Sequence, residues 1–75
     1  MKYIVVKDRD DKEHAIVFPD KVIHKDVARI HRATDVRVIS AGFCCLTDLI
    51  VWGESESLKM KHRDEDAAIL RKDFG

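Results

Sequence analysis

The chain is short of most of what catalytic and cofactor sites are built from. Its 75 residues hold one proline, two cysteines and three glycines, and the glycines (Gly42, Gly53, Gly75) never approach one another. Isolated glycines form no phosphate-cradling loop, which excludes the common nucleotide-binding motifs. The cysteines are neighbours, Cys44 and Cys45. On a strand they point to opposite faces, so an internal disulfide would need a strained geometry. Neither belongs to a Cys-x-x-Cys motif, and no His-x-x-x-His pair accompanies them. Net charge is also missing, because 14 basic and 14 acidic residues cancel. No global field then draws the molecule to nucleic acid or anionic lipid, although a local patch remains open. Finally, no apolar run approaches the roughly 18 to 20 residues that span a bilayer. The opening MKYIVVKDRDDKE turns charged too soon for a signal peptide. The expected setting is reducing and cytoplasmic, without a membrane and without a cofactor.

What is present is enough for one small domain, residues 1–75. The composition is 45% hydrophobic and 37% charged, richer in apolar residues than a disordered chain. A core this small gains from burying a further face against a copy of itself or another protein. Lys2 to Lys7 (KYIVVK) is apolar on both alternating faces, which suits a strand inside a sheet. The charged connector Asp8 to Glu13 leads to a returning strand, His14 to Phe18, stopped by Pro19. From about His24 to Arg32 the period becomes helical. Ile23, Val27 and Ile30 form the expected inward stripe, and Thr34-Asp35 supplies the closing turn.

The densest β-forming stretch follows, from Asp35 to Met60. Val36 and Val38 alternate onto one face, and Ile39, Ala41, Phe43 and Cys45 onto the other. Gly42 within the strand signals a bulge or a close backbone approach. A turn at Thr47-Asp48 returns the chain through Leu49 to Trp52, and Glu54 to Ser57 reads as an exposed edge. A last helix starts near Asp64. Its acidic start and basic end match the helix dipole, and Ala67, Leu70 and Phe74 face inward. The expected fold class is α+β in the order ββαββα, an antiparallel sheet with both short helices packed on one face.

Three short words, SAGF (Ser40 to Phe43), GESESL (Gly53 to Leu58) and EDAAIL (Glu65 to Leu70), together resemble a family of short proteins encoded by bacteriophages and prophages. The family pattern is SAGF, then GES-x-SL, then an Arg-Pro-Glu-Asp-Ala helix start. His62-Arg63-Asp64 departs from it by lacking the proline. The resemblance covers roughly the C-terminal half. It implies a phage or prophage origin in a bacterial host and brings no activity with it.

Read for chemistry, the residues favour binding over catalysis. His24 and His31 share a helix face but stand about 10.5 Å apart along it, too far for one ion to bridge unaided. One buried cysteine, one on the opposite face and surface histidines are the plainer account. Gly53-Glu54-Ser55 lacks the second glycine and the helix of a nucleophile elbow. Asp8 and Asp10 begin a calcium-loop spacing that Lys12 interrupts. With no acid-base pair and no activated nucleophile, the chain reads as not an enzyme. Trp52 is most often a core residue, and at an exposed edge it is an anchor. The expected function is therefore a non-enzymatic interaction module. It would bind a protein partner, or itself as a homodimer, through Trp52 with Glu54, Ser55 and Ser57. The alternative is a nucleic-acid accessory protein using Lys25, Arg29 and Arg32, spaced along one helix face. Against that stripe stands Asp26, placed to pair with Arg29.

Overall fold

The computed structural model describes residues 1–32 and 35–75. Two antiparallel hairpins merge into one sheet, joined and covered by two helices. Strand β1 (Lys2–Lys7) pairs with β2 (Glu13–Phe18), and helix α1 (His24–Arg32) then leads to β3 (Arg37–Cys45) and β4 (Ile50–Trp52). Strands β5 (Glu54–Ser55) and β6 (Met60–Lys61) make a separate small hairpin before helix α2 (Asp66–Phe74). The main sheet runs β2-β1-β3-β4, so β1 lies inside and β4 forms one edge. The α+β class, the antiparallel sheet and the two helices are as the sequence implies. The stretch read as an exposed edge is instead the β5–β6 hairpin. The closing turn expected at Thr34-Asp35 begins outside the described residues.

One expectation is corrected: the helices lie on opposite faces of the sheet. Ile4 and Val6 pack with Val27 and Ala28 of α1, while Tyr3 and Val5 pack with Leu70 of α2. Neighbouring strand residues face opposite ways, and β1 is apolar on both faces, so each face needs its own cover. Leu58 and Met60, from the β5–β6 hairpin, add to the α1 side.

The alternation along β3 also breaks. Val5 pairs with Ser40 but Val6 pairs with Val38, which leaves Ile39 as the extra residue of a bulge. The bulge reverses the parity. Val36 and Val38 therefore join Ala41 on the α1 face, while Ile39 turns toward α2. The bulge does not fall at Gly42. Gly42 is the close approach: a Cβ there would sit 2.7 Å from the Trp52 carbonyl oxygen and 3.3 Å from Cε1 of Tyr3.

Both helical stripes are shifted. In α1 the buried residues are His24, Val27 and Ala28, whereas Ile23 and Ile30 are 50% and 68% exposed. The spacing i, i+3, i+4 fits a helix as well as the isoleucine spacing, and the small Ala28 lets the helix approach the sheet. In α2 Leu70 and Asp66 are buried and Phe74 is outside. The helix begins as a tight turn, with the Asp66 amide donating to the Arg63 carbonyl at 3.0 Å. The Asp66 carboxylate reaches back to the Arg63 amide at 2.9 Å, the reciprocal half of a capping box.

Ser40 is fully buried beside Val5, and its hydroxyl has no hydrogen-bond partner among the described residues. An unmade buried hydrogen bond costs about 1–3 kcal/mol. Ser40→Ala removes that cost and should raise stability by about 1 kcal/mol, read as a higher urea midpoint. A lower midpoint would mean that the hydroxyl is satisfied in solution.

Candidate functional site

Four aromatic rings run in file from the core to the surface on the α1 face. Phe18 meets His24 edge-on at 5.3 Å, His24 meets Phe43 edge-on at 5.8 Å, and Phe43 stacks on Trp52 at 6.4 Å with 20° between planes. Each ring is placed by its element. Lys2, Phe43 and Trp52 are cross-strand partners in successive strands of the sheet, and His24 opens α1 above them. Such ring pairs contribute roughly 0.5–1.5 kcal/mol beyond the area they bury.

The second and third rings, His24 and Phe43, line a groove of about 460 Å³ together with Lys2, Ile23, Glu54, Glu56 and Ser57, and Trp52 reaches it only through its stack on Phe43. The Lys2 ammonium is already committed, donating to the Val22 carbonyl at 3.0 Å. His24 is almost wholly buried, and its Nε2 lies 2.9 Å from the Gly42 carbonyl. A carbonyl only accepts, so that nitrogen carries the proton. Burial pushes the imidazole pKa below its ordinary value, outweighing the opposite effect of the Gly42 hydrogen bond. His24 therefore enters the groove wall as a neutral ring, not as a surface histidine.

The structure separates the four expected contact residues. Trp52 is 45% exposed, held outside the core on Phe43 and not packed under a helix. Glu54 stands on the groove rim. Ser55 does not serve as a rim contact, because it is buried and its hydroxyl accepts the Leu58 amide at 3.2 Å. It holds the β5–β6 turn. The hydroxyl of Ser57 lies on the rim and accepts the Lys25 amide at 3.2 Å. Ile23, which precedes α1, has no side-chain acceptor to cap the helix, so a serine from a distant turn does so. That contact fastens the β5–β6 hairpin to α1 and closes one wall of the groove. Gly53, with φ of +73°, allows the chain to leave β4 here, and a Cβ at that position would strike the Phe43 ring at 2.9 Å.

The basic stripe is partly in place. Lys25 and Arg29 are exposed, and Arg29 lies 3.8 Å from the Asp26 carboxylate. The Arg32 side chain lies outside the described residues. As expected of the cysteine pair, Cys44 is buried and Cys45 is half-buried on the opposite face, both as free thiols. Burial pushes the Cys44 thiol up, which disfavours the reactive thiolate. The Asp8 carboxylate is spent within its own loop, accepting from the Asp10 and Lys12 amides and pairing with His14. The His14 contact and these amides hold it below the usual carboxylate range.

A second polar cluster, which no local sequence motif marks, lies on the α2 face. The Tyr3 hydroxyl donates to Oδ2 of the fully buried Asp66 at 2.6 Å. Arg63 grips the same carboxylate through Nε at 2.9 Å and Nη2 at 2.7 Å, and Nη2 also reaches Glu13 at 2.7 Å. Burial, then the bond to Asp66, holds the Tyr3 phenol well above its ordinary range. Burial opposes the Arg63 charge, yet the bonds to Glu13 and Asp66 outweigh it and push that pKa up. Every member has a partner. The cluster therefore fastens α2 and β2 to β1, and it presents no free acid or base.

Among the described residues no three His, Cys, Asp or Glu side chains are placed to share a metal ion. Nor is any helix among them long and apolar enough to cross a membrane. No protein-family model matches the chain, and comparisons with curated proteins and with solved structures likewise find no match.

Proposed function

We propose that this chain is a small non-enzymatic interaction module, of phage or prophage origin, whose contact surface is the aromatic groove between the second hairpin and the start of α1. The observation that carries the reading is Trp52, half-exposed at a sheet edge and stacked on Phe43, which lines the groove with exposed Ile23. A tryptophan held out of the core on a rigid base, next to a concave apolar surface, suits a binding hot spot. The β5–β6 hairpin, pinned to α1 through Ser57, keeps the groove preformed, so little ordering entropy is lost on association. The phage origin rests on the SAGF, GESESL and EDAAIL words alone. The nucleic-acid reading is weaker, because Asp26 offsets Arg29 on the stripe it would use.

The test is capture from a bacterial extract by tagged protein, with nuclease present, using wild type, Trp52→Ala and Arg29→Glu. Both side chains are exposed, so both variants should keep the wild-type circular dichroism. A protein retained by wild type and Arg29→Glu but lost from Trp52→Ala is the expected result, at a cost of about 2 kcal/mol or more in affinity. Equal retention by Trp52→Ala, or recovery that nuclease abolishes, would overturn it.

A further inference from the structure

We propose that Asp73 holds a strand-pairing edge shut: its carboxylate takes an outward amide of β2 and bars that edge to the β2 strand of a second copy. Strand β2 is the longer of the two edges of the main sheet, six residues against the three of β4. Among the described residues its one strand neighbour is β1, so the backbone groups on its other side meet no strand. An edge of that length is a template for a further strand. The Ala15 amide points to the open side, where it donates to Oδ2 of Asp73 at 2.9 Å. Amide direction alternates along an antiparallel strand, so the Glu13 and Val17 amides point the same way.

Asp73 sits against the local rules of its helix. It stands in the last turn of α2, after Arg71 and Lys72, where the dipole favours cations and opposes a carboxylate. The Ala15 amide is the one hydrogen-bond partner of its side chain among the described residues. The residue is therefore explained by what it does to β2 and not by α2 itself. The edge it closes is matched to itself. Two copies of β2 laid antiparallel about a two-fold axis at Ala15 exchange the two Ala15 amide-to-carbonyl bonds. That register sets Glu13 against Val17 and His14 against Ile16, with no like charges opposed. Asp73 occupies the donor at its centre, so both copies must release this bond before the ladder forms. Strand β2 lies at the opposite edge of the sheet from β4, and the inference stands apart from the groove.

Sedimentation velocity over a micromolar concentration series, joined to amide exchange followed by nuclear magnetic resonance, tests this. Both are run in a Trp52→Ala background checked for wild-type circular dichroism, so that Trp52 contributes nothing to association. Asp73 is exposed and alanine suits a helix, so the added Asp73→Ala change should keep the fold. Trp52→Ala alone should be monomeric, with a slowly exchanging Ala15 amide. With Asp73→Ala added, that amide should exchange about tenfold faster in dilute protein. In concentrated protein the same variant should dimerise, and its Val17 amide should slow about tenfold. Asp73→Asn should behave as the background does, because its amide oxygen still accepts from Ala15. An Asp73→Ala variant that stays monomeric throughout the series overturns the proposal, as does a dimer whose Val17 amide keeps its monomer rate. Dimerisation of Asp73→Asn to the same extent as Asp73→Ala would overturn it as well, since the bond would then not be what closes the edge.

Discussion

Asp66→Ala should leave this protein largely unfolded under ordinary conditions. Asp66 is the hub on which the Tyr3 hydroxyl, the Arg63 guanidinium and the Arg63 amide converge, and it has no solvent exposure. Truncation leaves a buried phenol without its acceptor and a mostly buried guanidinium with only Glu13. Breaking one side of such a pair costs about 3–5 kcal/mol. A domain of this size has on the order of 5 kcal/mol in all. Asp66→Asn should be milder, because the amide oxygen still accepts from Tyr3 although the charge is lost. Urea unfolding followed by circular dichroism separates the two variants. An Asp66→Ala protein within about 1 kcal/mol of wild type would mean that this network contributes little to the fold.

The second large effect is expected at Gly42. A methyl group there would meet the Trp52 carbonyl oxygen at 2.7 Å, Cβ of His62 at 3.2 Å and Cε1 of Tyr3 at 3.3 Å. The nearest of these is backbone, which cannot swing aside as a side-chain tip can. Overpacking typically costs about 1–3 kcal/mol, and Gly42→Ala should fall at the upper end. The damage should also reach the groove, because the Gly42 carbonyl holds His24 and the strand displaced is the one that carries Trp52. A loss below about 1 kcal/mol with unchanged Trp52 fluorescence would show that the sheet edge yields easily.

Much of this architecture is legible in the residues. Alternation in KYIVVK and HAIVF marks the first hairpin, and the isolated glycine in SAGF marks a close approach. What the alternation cannot reveal is a one-residue bulge at Ile39, which leaves every side chain plausible on either face and reassigns Val36 and Val38. The placement of the helices was already contained in β1, since a strand apolar on both faces asks for cover on both. The stripe in α1 does not follow side-chain size: the isoleucines look like core, yet the histidine and the alanine go inside. His24 is tolerated there because Gly42 accepts its proton-bearing nitrogen, a partnership 18 residues distant that no local pattern encodes.

The candidate site follows the same division. Trp52 and the Glu54 rim are visible as an aromatic beside a polar stretch. That Ser55 turns inward and Ser57 caps a distant helix is not, because hydroxyls suit a turn, an edge or a cap equally well. The Tyr3–Asp66–Arg63–Glu13 cluster joins residues from both ends of the chain. Its one local trace is the three-residue spacing of Arg63 and Asp66, which is also what a simple helix start looks like.

The central claim is that the Trp52 face is covered when this protein is at work. Because Trp52 is the sole tryptophan in the chain, hydroxyl-radical oxidation read by mass spectrometry reports on that face directly. The expected result is ready oxidation of Trp52 in dilute protein and protection in concentrated protein or in a complex recovered from extract. Phe74, exposed at the far end of α2, should oxidise equally throughout. An oxidation rate at Trp52 that stays at its dilute value in concentrated protein and in every recovered complex would contradict the claim.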